Sequence, residues 1–143
     1  LGFDISEDII IECKNFYKNR DNYSFEVTDN YNGEKAELVI SLDVIFHLVE
    51  DKVFKEYMER IFSASEKYVI IYSSNNREFS LNPLKPQKHV RHRKFTDWID
   101  KYCTNWKILK YIENPYLKQS GDTAQEHSHA NFYIYVKVTD GQD

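Results

Sequence analysis

Two apolar runs separated by an amphipathic helix restrict the fold of this chain more than any other feature of its sequence. The runs, residues 38–42 and 68–72, are almost free of polar side chains, which is typical of strands covered on both faces. Between them, apolar side chains recur with the spacing of one helix face. They are Val53, Phe54, Tyr57, Met58, Ile61 and Phe62. A buried strand, a helix and a second buried strand predict a parallel β–α–β unit.

The rest of the chain continues this alternation. Ser6 is a favourable N-cap for one further helix and Thr96 is a candidate cap for another. The predicted strands are residues 1–4, 23–27, 106–112 and 132–136, the predicted helices are 9–17 and 95–103, and the polar loops are 28–35, 75–88 and 117–131. Because no helical pattern separates the last two strands, they should pair antiparallel. We expect one doubly wound α/β domain over residues 1–143, with a mostly parallel sheet and an antiparallel final strand.

The composition excludes several classes of function. The 143 residues include only four glycines, and none has the spacing of a G-x-G-x-x-G or P-loop motif. No apolar run approaches the roughly 20 residues of a membrane-spanning helix, so we expect no membrane partner. A net charge of −4 argues against a general nucleic-acid binder. Cys13 and Cys103 lack metal-ligand spacing, and two reduced, buried thiols favour a cytoplasmic location.

Acidic residues follow three consecutive predicted strands. They are Asp4, Asp29 and Asp43. In doubly wound sheets, ligands bind beyond the carboxyl ends of the strands, where a carboxylate can accept hydrogen bonds from both hydroxyls of a ribose. Helix capping and loop solvation are the alternative interpretation of each acid. The three acids together favour a nucleoside site at this edge of the sheet.

Two stretches of the sequence resemble the class I S-adenosylmethionine-dependent methyltransferases. They are G-F-D-I-S at residues 2–6 and A-E-L-V-I-S-L-D-V-I-F-H-L at residues 36–48, in which D-V-I-x-H-L after an apolar strand is the more specific part. The resemblance covers nearly the whole chain and implies S-adenosylmethionine as the cofactor and methyl transfer as the activity. It departs at one point. The family begins with a strand and a glycine-rich loop around the methionine end of the cofactor, and roughly 30–50 residues of that kind are absent, so we expect an N-terminally incomplete domain.

The resemblance implies cofactor-binding roles for six residues. These are Asp4 at the ribose hydroxyls, Ile5 on the adenine face, Asp29 and Asn30 at the adenine edge, and Ser41 and Leu42 beside the methionine and methyl end. Without the first strand and its loop, we expect this chain alone to bind the cofactor poorly.

Asp43 and His47 are the candidate catalytic residues. Methyl transfer from a sulfonium is a direct displacement, in which alignment of the reactants matters more than acid catalysis. A base is needed only if the acceptor holds a proton when it is bound, and either residue could then serve. Capping, or orientation of the acceptor, is the alternative role of both residues.

The most basic stretch of the chain is K-H-V-R-H-R-K at residues 88–94. Guanidinium groups suit a carboxylate or phosphate of an acceptor. The predicted acceptor-binding residues are His89, Arg91, His92 and Arg93, together with Tyr72 at the end of its strand. A solvated basic loop and a core tyrosine are the alternatives. His89 and His92 have no acidic or thiol partner nearby, so no metal is predicted.

These observations leave three functional hypotheses. The first is a methyltransferase that acts on a small or modest-sized molecule. The second is a non-catalytic interaction or regulatory module that forms a homodimer through exposed apolar surface and strand edges. The third is a module that binds a different adenosine ligand.

Overall fold

The computed structural model describes residues 1–76, 89–115 and 129–138. The chain divides into two compact units, residues 1–34 and residues 35–143. Most of the predicted loops 75–88 and 117–131, including Lys88 of the basic stretch, lie outside the described residues. Within the described part of the chain, no helix has the length and apolar character needed to cross a membrane.

The first unit is a small β–α–β arrangement. It contains strand β1 (Gly2–Asp4), helix α1 (Glu7–Phe16) and strand β2 (Phe25–Val27), and the two strands pair in parallel. The predicted cap is confirmed, because the Ser6 hydroxyl accepts a hydrogen bond from the backbone N–H of Ile9 at 3.3 Å. The ring of Tyr17 stacks on Phe25 with centroids 5.5 Å apart, which fixes the end of α1 against β2.

The second unit is a four-stranded sheet with two helices. Its elements are β3 (Ala36–Leu42), α2 (Asp51–Ala64), β4 (Ser65–Ser73), α3 (Phe95–Tyr102), β5 (Trp106–Ile112) and β6 (Asn131–Lys137). The strand order is β3-β4-β6-β5, with β3 and β4 parallel and β6 antiparallel to both of its neighbours. The predicted antiparallel pairing of the last two strands is therefore confirmed. Strands β1 and β2 form a separate two-stranded sheet.

Both helices of the second unit contribute to one apolar core. Met58 from α2 and Phe95 from α3 are fully buried, as are Val69 and Ile71 of β4. The ring of Phe95 meets that of Tyr133 edge to face at 5.0 Å. Each fully buried side chain of this size is worth roughly 1.5–3 kcal/mol before conformational entropy is subtracted, so this core anchors the sheet that carries the candidate site.

Strand β3 differs from its prediction. Leu38, Ile40 and Leu42 are 41%, 53% and 52% exposed, whereas the alternate residues Val39 and Ser41 face the core. The prediction that this strand is covered on both faces is wrong in this structure, because β3 is an outer strand and α2 covers only one of its faces. An apolar run has the same appearance in a sequence whether one face or both are covered.

The predicted cap of α3 is also wrong. The residue that precedes the helix is Lys94, which makes no side-chain capping bond. Thr96 lies inside the helix, and its hydroxyl accepts a hydrogen bond from the side-chain amide of Asn75 at 3.0 Å. Thr96 therefore ties the start of α3 to the chain that follows β4.

Candidate functional site

The carboxyl ends of β3 and β4 meet at one edge of the sheet in the second unit. Leu42 and Tyr72 are register partners, and the backbone N–H of Asp43 donates to the carbonyl of Tyr72 at 2.9 Å. Because the two strands are parallel, the residues that follow each of them are brought together at this edge.

Asp43 adopts a strained backbone conformation directly after β3. Its φ of 57° lies in the left-handed region, which is costly for residues other than glycine. Burial raises the pKa of its carboxyl group, and the nearby His47 partly opposes that rise. Strain of this kind is concentrated at functional sites, which supports the choice of Asp43 from the sequence.

His47 lies in a short 3-10 turn, Ile45–His47, that follows Asp43. Its side chain is exposed, and its Nδ1 lies 3.4 Å from the carbonyl oxygen of His89. Its ring packs against that of Phe46 at 4.5 Å. The structure therefore brings two of the predicted residues, His47 and His89, into the same neighbourhood.

Ser41 and Leu42 point to opposite faces of β3. Ser41 is buried, and its Oγ accepts a 2.7 Å hydrogen bond from the hydroxyl of Tyr57. Burial raises the pKa of Tyr57, so this hydroxyl keeps its proton. Of the two, only the side chain of Leu42 is exposed, and the hydroxyl of Ser41 is engaged with helix α2.

Arg93 is held by the segment that joins β3 to α2. Its guanidinium donates to the carbonyls of Leu48 at 3.2 Å and Val49 at 2.7 Å, and it pairs with Asp51. Its side chain is only 12% exposed and lies over the ring of Phe54 at 4.8 Å. The structure therefore gives Arg93 a bracing role that the sequence did not indicate.

Arg91 braces the same segment. Its guanidinium donates to the carbonyl of Val49 at 2.9 Å and lies 3.1 Å from Asp51, and its backbone N–H donates to the carbonyl of Phe46 at 2.8 Å. The two arginines hold the pKa of the Asp51 carboxyl below its usual value, with the hydrogen bond from Arg93 as the largest cause.

His92 pairs with a serine that the sequence did not single out. Its Nδ1 lies 2.6 Å from Oγ of Ser74, a residue that is 1% exposed. The rings of Phe46 and His129 are 5.9 Å and 6.0 Å from the ring of His92. Burial and the charge of His129 lower the pKa of His92. The two residues are 18 positions apart in the sequence, and the only sequence signal was the polar S-S-N-N run that begins at the last residue of β4.

Tyr72 is fixed by residues from the end of the sheet. The side-chain amide of Asn114 donates to its hydroxyl at 2.8 Å, and its ring packs against Phe132 at 4.5 Å. Tyr72 is half-buried on the sheet face opposite the core, so its side chain faces away from the helices. It lies at the same end of β4 as Ser74.

The four candidate residues of the first unit are Asp4, Ile5, Asp29 and Asn30. The carboxylate of Asp4 accepts the backbone N–H of Ser6 at 2.8 Å through Oδ1, and Ile5 is 88% exposed. Asp29 is exposed, and the amide of Asn30 donates to Glu26 at 3.0 Å. That bond, together with Lys14, lowers the pKa of Glu26. In the described ranges, no three histidine, cysteine or acidic side chains are grouped as a metal site would need.

No protein-family model and no curated protein matches the sequence. Solved structures do match. An N-methyltransferase, NodS from Bradyrhizobium japonicum WM9, has a TM-score of 0.69 at 11% identity over 96% of this chain and 72% of its own. A methyltransferase from Clostridium acetobutylicum ATCC 824 has a TM-score of 0.64 at 13% identity over 96% and 74%.

A third match is magnesium protoporphyrin IX methyltransferase from Synechocystis PCC 6803 with bound SAH, with a TM-score of 0.66 at 18% identity over 95% of this chain. The chain spans 63% of that structure's length and 58% of the same enzyme's structure with bound SAM. These matches show that the chain has the class I S-adenosylmethionine-dependent methyltransferase fold, as predicted. Identities this low establish the fold and leave function to the site.

Proposed function

We propose that this protein is an S-adenosylmethionine-dependent methyltransferase that acts on a small or modest-sized molecule. The observation that carries the proposal is the strained backbone of Asp43 directly after β3, where it hydrogen-bonds to the parallel strand β4, in a chain whose fold is similar to that of methyltransferases. When bound, the cofactor supplies a methyl group on a sulfonium, a leaving group that needs no acid. The task of the protein is then to bind and align the two reactants.

Residues of the first unit fit an adenosine group. Oδ1 of Asp4 is engaged by Ser6, and Oδ2 accepts no hydrogen bond from the described residues. That oxygen suits the hydroxyls of a ribose. The exposed side chain of Ile5 suits an adenine face, and the exposed Asp29 and Asn30 suit its polar edge.

For the methionine end of the cofactor we propose Ser41 and Leu42, the residues that the resemblance names. Leu42 offers an exposed apolar side chain, and the buried Ser41 offers its backbone. Asp43 and His47 are the proposed groups that orient the acceptor or take its proton. The 143 residues contain no glycine-rich motif of the kind that cradles a nucleotide cofactor.

Isothermal titration calorimetry with S-adenosylhomocysteine (SAH) tests the cofactor proposal. It should be run on this chain and on the complete product of its gene. Asp4→Ala should weaken binding about 10- to 100-fold, because a hydrogen bond to a charged group is worth about 1.5–3 kcal/mol. The matched control is Asp8→Ala, which removes an exposed acid of the first turn of α1. If neither protein releases heat with SAH, the proposal is wrong.

A second candidate function is a non-catalytic module that forms a homodimer. The observation in its favour is the exposed apolar row Leu38, Ile40 and Leu42 on the outer strand β3. A second copy could cover this row across a two-fold axis. Sedimentation velocity over a range of concentrations should show a dimer that Ile40→Lys abolishes. Ile108→Lys, at an equally exposed position of β5, should leave it intact, and a monomer at every concentration excludes this candidate.

The remaining proposals concern location and partners. Cys13 and Cys103 are both free, which supports a cytoplasmic location. We propose a small-molecule acceptor as the partner of the site, with Arg91, His92 and Tyr72 at the strand ends nearest to it. Cell fractionation followed by detection of the protein tests the location.

A further inference from the structure

A cavity of about 320 Å³ lies in the first unit, between the end of helix α1, the turn that follows it and strand β2. Its lining combines aromatic rings with cationic side chains. They are Tyr17, Tyr23, Phe25, Lys14, Lys18 and Arg20. The volume is at the small end of the range that is typical of small-molecule sites. None of the candidate residues of the methyltransferase site lines this cavity.

The aromatic rings of the lining form one packed group. The ring of Tyr17 stacks on Phe25 at 5.5 Å and lies 4.8 Å from that of Tyr23, with angles of 29° and 31° between the planes. Backbone hydrogen bonds from Arg20 to Tyr17 at 2.9 Å and from Tyr23 to Arg20 at 3.1 Å fix the turn that carries Tyr23. Tyr23 is 50% exposed, so part of its ring is open to contact with the ring of a ligand.

The lining carries a positive balance of charge in an acidic protein. Its three cations oppose only two acids, Asp21 and Glu26, whereas the whole chain has a net charge of −4. Glu26 pairs with Lys14 at 3.2 Å. Lys18 and Arg20 are exposed and make no ion pair with any residue that the structure describes. An ammonium and a guanidinium group are therefore available to the oxygens of an anion.

We propose that this cavity binds a small phosphate monoester that carries a planar ring. The ring would lie against Tyr23, and Arg20 and Lys18 would hold the phosphate, which carries nearly two negative charges at pH 7. Cations also suit the C-terminal end of a helix such as α1 through its dipole, but the dipole requires neither the rings nor the cavity. The proposal does not depend on methyl transfer, because it uses none of the residues proposed for that reaction.

An NMR titration of the ¹⁵N-labelled protein with phenyl phosphate tests the proposal. We expect a Kd on the order of 1 mM and shifts centred on the backbone signals of Lys18, Arg20 and Tyr23. Cyclohexyl phosphate, which keeps the charge without a planar ring, should bind about fivefold more weakly. Equal affinity for the two esters overturns the role of the ring. Shifts confined to Arg91 and Arg93, or no shifts at all, overturn the site.

Three substitutions then test the roles of the lining. Arg20→Ala should weaken binding of phenyl phosphate about tenfold, because the phosphate loses a charged donor, and Tyr23→Ala should weaken it about fivefold. Asp21→Asn should strengthen it about threefold, because the acid that repels the phosphate is removed. A purely structural role of these residues predicts no such gain.

The chain offers a matched control for each kind of loss. Lys52→Ala removes a cation of α2 whose side chain is 83% exposed, and Phe16→Ala removes a ring that is 82% exposed and lies outside the lining. Both should leave the Kd unchanged. Equal affinity in Arg20→Ala and Lys52→Ala, or no gain in Asp21→Asn, overturns the proposal even if Tyr23→Ala fails to fold.

Discussion

Asp43 combines backbone strain with candidate chemistry in one residue. Among the described residues it is the only non-glycine residue with a positive φ, and its N–H bond to Tyr72 fixes it there. Such a conformation costs on the order of 1–2 kcal/mol for an L-residue, although aspartate tolerates it better than most. This strain at the end of a strand supports the proposal that Asp43 has a functional role.

Substitutions of Asp43 test whether its backbone is strained in the folded protein. Asp43→Gly should raise the free energy of unfolding by about 0.5–1 kcal/mol, and Asp43→Val should lower it by about 1–2 kcal/mol, because only glycine adopts this φ without cost. Urea denaturation measures both. Asp100→Gly, inside helix α3, should gain nothing because glycine disfavours helices. Equal losses in Asp43→Gly and Asp43→Val would show that the backbone is unstrained.

The two cysteines should differ in reactivity. Burial raises the pKa of the Cys103 thiol to about 11, with the charge of Glu59 as a second cause, so at pH 8 about one thiol in a thousand is ionised. Cys13 is only half-buried. Iodoacetamide at pH 8 should therefore modify Cys13 first and Cys103 only after unfolding, as mass spectrometry can determine. Cys13→Ser should then show almost no labelling, and rapid labelling of that variant would contradict the expectation.

The segment between β3 and α2 owes its position to one ion cluster. Arg91, Arg93 and Asp51 together hold the backbone from Phe46 to Val49. That backbone carries His47, so a basic stretch that the sequence assigned to acceptor binding also positions a candidate catalytic residue.

Removal of the Arg93 side chain should loosen this segment. Arg93→Ala should lower the free energy of unfolding by about 2–3 kcal/mol, because the carbonyls of Leu48 and Val49 lose a charged donor. The ring of Phe54 also loses the guanidinium that lies over it. Arg93→Lys should recover little, since an ammonium cannot reproduce the planar fork. Lys55→Ala, which removes an exposed pair with Glu59, should cost at most about 0.5 kcal/mol. Chemical denaturation of the three variants measures these effects, and equal losses in Arg93→Ala and Lys55→Ala would refute the bracing role.

The cluster also gives a pH dependence with a defined sign. The pKa of Asp51 is lowered in the folded protein, so its contribution is present above its unfolded pKa and is lost as the pH falls through the folded value. The difference in stability between wild type and Arg93→Ala should therefore narrow below about pH 4.

Periodicity predicted the elements better than it predicted their surroundings. The apolar face of α2 predicted from the spacing contributes to the core. The absence of a helical pattern between β5 and β6 correctly predicted their antiparallel pairing. The open face of β3 was missed, because burial of a strand depends on its neighbours in the sheet and not on its own residues. The predicted cap of α3, Thr96, was wrong because the helix begins one residue before it and its hydroxyl binds Asn75, which is distant in sequence.

The candidate site, like the fold, could be predicted from the sequence only in part. The position of Asp43 could be predicted because strand ends are recognisable in a sequence, and its role stays a prediction. The pairing of His92 with Ser74 could not be predicted, since the two residues are 18 positions apart in the sequence. The bracing by Arg93 was missed for a similar reason, because its carbonyl partners are backbone atoms that any residue could supply.

At the scale of the whole molecule, fold and sequence carry different information. The match covers 95–96% of the chain at TM-scores of 0.64–0.69, while identity stays at 11–18%. A backbone can be retained this well because packing tolerates extensive hydrophobic substitution. Ligand chemistry is not retained in the same way, so the choice among the adenosine ligands has to be measured on this protein.

Thermal unfolding with competing ligands makes that measurement. SAH at about 100 times its Kd should stabilise the protein by about 2.7 kcal/mol, which for a chain of 143 residues corresponds to a rise in Tm of about 10 °C. ATP and adenosine at equal concentration should raise Tm far less, because neither presents a thioether-linked amino acid. In Asp4→Ala the rise in Tm with SAH should be smaller, since the ribose hydroxyls lose the carboxylate proposed to accept their hydrogen bonds. An equal rise in Tm with all three ligands would instead show that the site recognises only the adenosine group. The methyl-transfer proposal would then be replaced by that of a module that binds a different adenosine ligand.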